Sequence, residues 1–150
     1  TICNSPTTIR PQGGQALSGQ HENVQKALAA DGSRGWGRLL IEQKIISGKN
    51  PAHIEWVVNE WAKTPTHVLQ GITRTLDGAD TAPLLPQIKV PTLILAPSRS
   101  PITPLADQIS MRTLIPNAQI TVVEGPGHEI YVDEPEECIN AFLKFLRSLG

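Results

Sequence analysis

A histidine in a turn rich in glycine and proline is the residue of this chain best suited to do chemistry. His128 follows Gly125, Pro126 and Gly127, and glycines free the backbone from its ordinary restrictions, so the imidazole can be presented at a chosen point. An imidazole can take up and return a proton near pH 7, which predicts general acid–base catalysis. The same turn also fits a histidine that only caps a helix or satisfies a nearby carbonyl. The residues of the turn alone leave both interpretations open.

The segments on either side of this turn predict a strand and a helix. Residues 118–123 are apolar and rich in β-branched side chains, as in a central strand of a parallel sheet. Downstream, Asp133 and Glu136 have the spacing of a capping box at the start of a helix. The predicted apolar stripe of this helix consists of Cys138, Ile139, Phe142, Leu146 and Leu149. The histidine therefore follows the carboxyl end of a strand, where α/β proteins place ligands and catalytic groups.

An earlier strand, predicted at residues 90–96, adds a second half to this pattern. The order is strand, proline-rich loop, helix, strand, Gly-Pro-Gly-His turn and terminal helix. This order resembles the C-terminal part of α/β-hydrolase-fold enzymes, in which the histidine of a Ser-His-acid triad follows the last strand. The residues that carry the resemblance are 85–95, Pro101-Ile102-Thr103-Pro104 and 125–135.

The resemblance implies an α/β fold with parallel strands, flanking helices and a helical cap insertion. Residues 1–10 would form a core strand and its exit, residues 11–83 the cap (lid), and residues 84–150 the C-terminal core with the histidine loop. His128 would be the general base of the triad. Residues 1–6 would match the strand just after the nucleophile's helix. The resemblance therefore implies that the nucleophile lies on a missing segment or on another chain.

The triad acid is the point at which this chain departs from the family pattern. The resemblance places an aspartate at the position of Ser100 or, in some relatives, near Asn4, and both residues are neutral. Either residue could orient the imidazole through a neutral hydrogen bond, or the protein could bind ligands without hydrolysing them. A carboxylate from elsewhere could also reach the ring, and the candidates near the turn are Glu124, Asp107 and Glu129. These alternatives stay open because losing the acid can cost on the order of four decades in rate.

Residues 11–83 are predicted to form three or four short helices after a polar loop at residues 11–18. The nearest imitation of a Gly-x-Ser-x-Gly nucleophile elbow surrounds Ser33, but its leading glycine is displaced and no strand precedes it, so Ser33 is interpreted as a helix N-cap. One helix carries an apolar stripe that consists of Ile54, Val57, Val58 and Trp61. Trp56 lies nearly opposite this stripe. It either lines a substrate cavity or packs against another cap helix or a partner subunit.

Composition excludes several classes of function. The formal net charge of -1 gives no basic footprint for nucleic acid, and no apolar run approaches the roughly 20 residues that span a bilayer. We expect no cofactor and no metal, because no residues have metal-ligand spacing, and His21, His53 and His67 fit solvated or capping positions. A disulfide between Cys3 and Cys138 is not expected, and the cytoplasm is the expected compartment.

Two hypotheses from different classes follow. The first is a hydrolase that acts on a small apolar ester, lactone or related carbonyl compound, with His128 as general base. The second is a catalytically impaired, hydrolase-like protein that binds a small molecule. Because two or three parallel strands leave exposed sheet edges, we also expect association with a complementary N-terminal half, with a second chain that carries the nucleophile, or with another copy as a homo-oligomer.

Overall fold

Within the part of the chain that the structure describes, a sheet of three parallel strands forms the centre of the fold. The computed structural model describes residues 1–8 and 11–150. Strand β1 (Ile2–Cys3) pairs with β2 (Thr92–Pro97), which pairs in turn with β3 (Ala118–Val123). In the register of the sheet, Ile94 of β2 lies opposite Ile2 of β1 and Ile120 of β3. The predicted α/β class with parallel strands is confirmed.

The second strand begins two residues later than its sequence pattern predicts. Its ladder with β3 starts at Thr92, opposite Ala118. Pro91 has no backbone N–H to give to a ladder, and Val90 is exposed. The prediction included Val90 and Pro91 because both are apolar, but the strand ladder does not contain them.

Helices cover both faces of the sheet. One face packs against a 3-10 helix (Ala82–Gln87) and α5 (Leu105–Leu114), and the other against α6 (Ile130–Asp133) and α7 (Pro135–Arg147). The buried residues of the first face are Leu85, Ile94, Ala96, Met111, Ile115 and Ala118. Those of the second face are Leu93, Leu95, Val123, Ile130, Cys138 and Phe145. The alternation along β2 sends neighbouring side chains to opposite cores.

Among the described residues between β1 and the 3-10 helix, four helices form a separate apolar cluster, here called the helical region. They are α1 (Pro11–Ser18), α2 (Val24–Glu42), α3 (Pro51–Lys63) and α4 (Thr66–Leu76). The cluster includes Ala27, Leu28, Trp36, Leu40, Ile45, Val57 and Leu69. Trp36 meets Trp61 edge-on, with 5.2 Å between the ring centroids. The predicted loop at residues 11–18 is wrong, because these residues form α1 and bury Ala16 in the cluster.

Ser33 does not cap a helix. Gly32 has a φ of 64° and kinks α2, which continues on both sides of it. Ser33 is buried just after the kink, and its Oγ donates to the Thr64 carbonyl at 2.6 Å. The hydroxyl therefore ties α2 to the end of α3. The sequence signals the kink through Gly32, but it cannot show which carbonyl takes the hydroxyl.

The predicted capping box at the last helix is also wrong. Asp133 belongs to α6, and its carboxylate accepts a hydrogen bond from Ser47 Oγ at 2.5 Å. Helix α7 starts at Pro135 without a side-chain cap. Of the predicted stripe only Cys138 is buried, and the members that remain 40–56% exposed are Ile139, Phe142, Leu146 and Leu149. A sheet of three strands is too narrow to cover that face of the helix.

No helix in the described part of the chain is both long and apolar enough to cross a bilayer.

Candidate active site

The backbone of His128 is held from two sides at the carboxyl end of the sheet. Its N–H donates to the carbonyl of Lys44, just beyond α2, at 3.0 Å. Its carbonyl accepts a hydrogen bond from Asn4 Nδ2, at the end of β1. The turn after β3 is thus fixed between the sheet and the helical region, as a positioned catalytic group requires.

Gly127 permits the close approach of this turn to Lys44. A Cβ at residue 127 would lie 2.4 Å from the Lys44 carbonyl oxygen, which is backbone and cannot swing aside. That carbonyl is also the acceptor for the His128 N–H. A side chain at residue 127 would therefore disturb the turn and the contact with the helical region together.

We expect Gly127→Ala to lower the free energy of unfolding of the whole protein by about 1–3 kcal/mol, because overpacking forces the backbone to shift. Chemical denaturation measures the loss. Gly71→Ala is the matched control: Gly71 lies within α4, a Cβ there meets nothing within 4 Å, and alanine stabilises a helix interior by up to about 1 kcal/mol. Equal stability of the two variants would contradict the role given to Gly127.

Two hydroxyls meet the imidazole. Ser100 Oγ lies 2.9 Å from His128 Nδ1, and Thr103 Oγ1 lies 3.3 Å from the same nitrogen. Both residues belong to the loop between β2 and α5, and Thr103 is fully buried. Arg99 Nε donates to the Gly125 carbonyl at 2.9 Å and joins this loop to the histidine turn. The structure therefore brings Ser100 to the ring, and it adds Thr103, which sequence reasoning missed.

Asn4 acts on the backbone of the histidine turn and not on the ring. It is 4% exposed and has a φ of 52°, a left-handed conformation that asparagine tolerates better than most residues. Its amide group donates to the His128 carbonyl, and its Oδ1 lies 3.3 Å from Cys3 Sγ. Of the two positions that the resemblance gives for the acid, only Ser100 contacts the imidazole.

Two of the three nearby carboxylates accept hydrogen bonds from groups other than the His128 ring. Glu124 accepts a hydrogen bond from Ser98 Oγ at 2.9 Å. Glu129 accepts from the backbone N–H of Ser47 at 2.7 Å and from Tyr131 Oη at 3.0 Å. Asp107 lies in the first turn of α5. In the described part of the chain, both recorded hydrogen bonds of the His128 ring go to hydroxyls.

Burial lowers the pKa of His128 from its usual 6.5 to about 4, because the charged imidazolium loses its hydration. The ring is therefore neutral at pH 7. The unfolded chain binds a proton on this histidine below about pH 6.5, whereas the folded chain does so only near pH 4. Unfolding takes up a proton in this window, so His128 makes the protein less stable as the pH falls from 6.5 toward 4.

A cavity of about 690 Å³ lies in the helical region. Its apolar walls include Leu17, Val24, Trp36 and Ile102. Ile102 comes from the loop that also carries Ser100 and Thr103, but neither these two residues nor His128 lines the cavity. Trp36 is buried in the apolar cluster of the helical region and also lines the cavity, and its indole N–H donates to the Leu17 carbonyl at 2.8 Å.

Trp56 does not line this cavity. It is 59% exposed and stacks on His53 of its own helix, with 6.0 Å between the ring centroids. Its position opposite the apolar stripe of α3 directs it to the surface. The described residues also contain no cluster of three histidine, cysteine or carboxylate side chains that could hold a metal ion.

The sequence of this chain is similar to a known protein family and to a named enzyme. A model of the family described as TAP-like protein matches residues 61–149. The 3-oxoadipate enol-lactonase 1 of Acinetobacter baylyi is 31% identical over 101 residues, which cover 67% of this chain and 38% of that enzyme.

Solved structures extend the likeness to nearly the whole chain. A thermophilic esterase from Thermogutta terrifontis superposes with a TM-score of 0.69 at 21% identity, and the enol-lactonase from Burkholderia xenovorans LB400 with a TM-score of 0.70 at 16% identity. Each match covers 97% of this chain and 54% of the other. The chain thus spans about half the length of these structures. Because the family model matches more than half of its residues, this chain belongs to the α/β hydrolases, in the family described as TAP-like protein.

Proposed function

We propose that this chain supplies the cap and the C-terminal core of a serine-type hydrolase that acts on a small, largely apolar ester, lactone or related carbonyl compound. His128 takes the proton of the nucleophile and later returns it to the leaving group. The observation that carries the proposal is the hydrogen bond of 2.9 Å between His128 Nδ1 and Ser100 Oγ. It joins the histidine to the loop position from which a triad acid would act in the fold that the chain resembles.

The cavity in the helical region supports a small, apolar substrate. Its volume of about 690 Å³ falls within the roughly 300–1,000 Å³ of small-molecule sites. Its lining combines apolar walls such as Val24 and Trp36 with polar and charged side chains that include Gln25, Glu22 and Asp77. In this proposal the helical region is the cap, which selects substrates by shape. The names of two similar proteins, an enol-lactonase and an esterase, support acyl chemistry.

The nucleophile is proposed to lie outside these 150 residues, on the same polypeptide or on a second one. The outer edge of β1 has no strand beside it in the described part of the chain, and α7 exposes an apolar face. We propose that an N-terminal hydrolase half completes both surfaces, because the solved structures that match this chain are about twice its length. A second copy of this chain is the competing occupant.

Covalent labelling of the whole protein with a serine-reactive fluorophosphonate tests this function. We expect one labelled serine outside the residues of this chain, identified by mass spectrometry of the digested protein. A labelled Ser33 would contradict the proposal, since the buried Ser33 hydroxyl is committed to the Thr64 carbonyl. Labelling should be lost after denaturation, because it depends on an assembled site.

The second candidate function is ligand binding without hydrolysis. The observation that favours it is the serine at residue 100, which gives His128 a neutral partner in place of a carboxylate. A protein of this kind would bind a small acyl compound in the cavity and would not react with the fluorophosphonate. Calorimetric binding without labelling therefore supports the second candidate and excludes the first.

A further inference from the structure

The hydrogen-bonding groups of Ser100 fix the direction of its bond to His128. A serine hydroxyl has one proton to donate and two lone pairs that accept. Ser100 Oγ accepts from the backbone N–H of Ile102 at 3.2 Å and from that of Thr103 at 3.0 Å. These two bonds use both lone pairs. The Ser100 proton is then the group left for the contact of 2.9 Å with His128 Nδ1, with the ring nitrogen as acceptor.

The opposite direction would leave the loop with an unsatisfied group. If Nδ1 carried the proton, three N–H groups would point at the two lone pairs of Ser100 Oγ: those of Ile102, Thr103 and the ring. The Ser100 proton would then lose the ring nitrogen as its acceptor. Thr103 Oγ1 is a weaker partner for the ring, at 3.3 Å. A buried donor without a partner costs about 1–3 kcal/mol, and the cost for Ser100 lies at the low end of this range because Ser100 is half-buried.

We infer that Ser100 is a positioning residue that holds His128 in the Nε2–H tautomer. Within the described part of the chain, both hydrogen bonds of the ring are made through Nδ1, which leaves Nε2 to meet a ligand or a nucleophile. In this tautomer Nε2 carries the proton. The ring then offers a hydrogen-bond donor to a carbonyl or carboxylate oxygen, and it cannot act as a base at Nε2 until that proton has moved.

The consequence for the reaction follows from the balance of protons. When the O–H bond of a nucleophile breaks, its proton must form a new bond to a bare Nε2, with the other ring proton on Nδ1. The ring must first change tautomer, and Ser100 can accept the Nδ1–H only by giving up a backbone N–H. This effect on rate rests on the proposed function. The tautomer itself does not, because it depends only on the hydrogen bonds of the loop.

Nitrogen NMR of the whole protein, labelled with ¹⁵N-histidine, tests the inference at pH 7. Two-bond ¹H–¹⁵N correlations show which ring nitrogen carries hydrogen. We expect the pattern of a proton on Nε2 and a bare Nδ1 for His128, assigned by its absence from the spectrum of the His128→Gln variant. A proton on Nδ1 in the unmodified protein would overturn the inference, whatever the activity of the protein.

Two variants locate the cause in Ser100. Thr103→Val removes the weaker contact and keeps the backbone N–H that Ser100 accepts, so the Nε2–H pattern should persist. Ser100→Asp supplies carboxylate lone pairs that accept both backbone N–H groups and an Nδ1–H, so the pattern should switch to Nδ1–H. A switch in Thr103→Val, or no switch in a folded Ser100→Asp variant, would assign the tautomer to some other group. An inactive protein with the Nε2–H pattern would sink the proposed function and leave this inference standing.

Discussion

Replacing Ser100 with aspartate is expected to raise the ester hydrolysis rate of the whole protein by on the order of 10²–10⁴. The loop already offers two backbone N–H groups at residue 100, from Ile102 and Thr103, and both point at the side-chain oxygen. A carboxylate there would keep these donors and accept the Nδ1–H of His128. It would hold the tautomer that takes a proton at Nε2, and its charge would stabilise the imidazolium that forms in the reaction.

The measurement is kcat/KM for a short-chain acyl ester across a range of pH. Ser100→Asn is the matched control, because asparagine has nearly the shape of aspartate without the charge, and we expect it to stay slow. A nearby negative charge also raises the pKa of His128 from its buried value of about 4. The rate of Ser100→Asp should therefore fall with decreasing pH at a higher pH than the rate of the unmodified protein. Equal rates for the aspartate and asparagine variants would contradict the assignment of residue 100 to the triad position.

Patterns that depend on neighbouring residues were predictable from the sequence. The apolar, β-branched run at residues 118–123 predicts a strand, and the structure has it as β3. The expected central position is wrong for the described part of the chain, because β3 lies at the edge of the sheet and buries only Ala118 and Val123. The turn after it follows because two glycines and a proline cannot continue a strand or begin a long helix. The position of His128 at the carboxyl end of the sheet therefore follows from the succession of a strand and a turn along the chain.

Features that depend on distant residues were not predictable. The Lys44 carbonyl that receives the His128 N–H belongs to a backbone segment 84 positions away, and nothing in its residue type marks it. Thr103 could have been found, since it stands three positions after Ser100 in a proline-bounded loop, where hydroxyls often bond to one another and to the backbone. Recognising it required knowing that the loop folds back over the ring.

The two predicted helix caps, Asp133 and Ser33, were wrong because each side chain forms a hydrogen bond with a distant part of the chain. Asp133 has the right spacing for a capping box, yet its carboxylate accepts the Ser47 hydroxyl and holds the end of the helical region against α6. Ser33 similarly bonds to the Thr64 carbonyl. A short polar side chain forms a hydrogen bond with the partner that the packing of the fold places near it. Sequence spacing alone does not show whether that partner is the end of a helix or a carbonyl from a distant segment.

The apolar face of α7 shows the same limit on a larger scale. The structure buries Cys138 of the predicted apolar stripe together with Phe145, which the prediction left out, and the other members of the stripe are exposed. The helical period indicates which side chains share an apolar face, but it does not indicate which element covers that face. The exposed remainder is the feature that the proposed N-terminal half would cover.

Replacing His128 with alanine is expected to lower kcat/KM for the same ester by on the order of 10², at the low end of what a general base contributes. The loss is modest because Ser100 already holds the ring in the less productive tautomer. In the Ser100→Asp background the same replacement should remove the whole gain, since a carboxylate at residue 100 acts only through the ring. His67→Ala is the control, because His67 is an exposed histidine of α4 and its replacement should leave the rate unchanged. If Ser100→Asp still accelerated a protein that lacks His128, the two residues would not form one unit, and the aspartate would be acting on the substrate or on a water molecule directly.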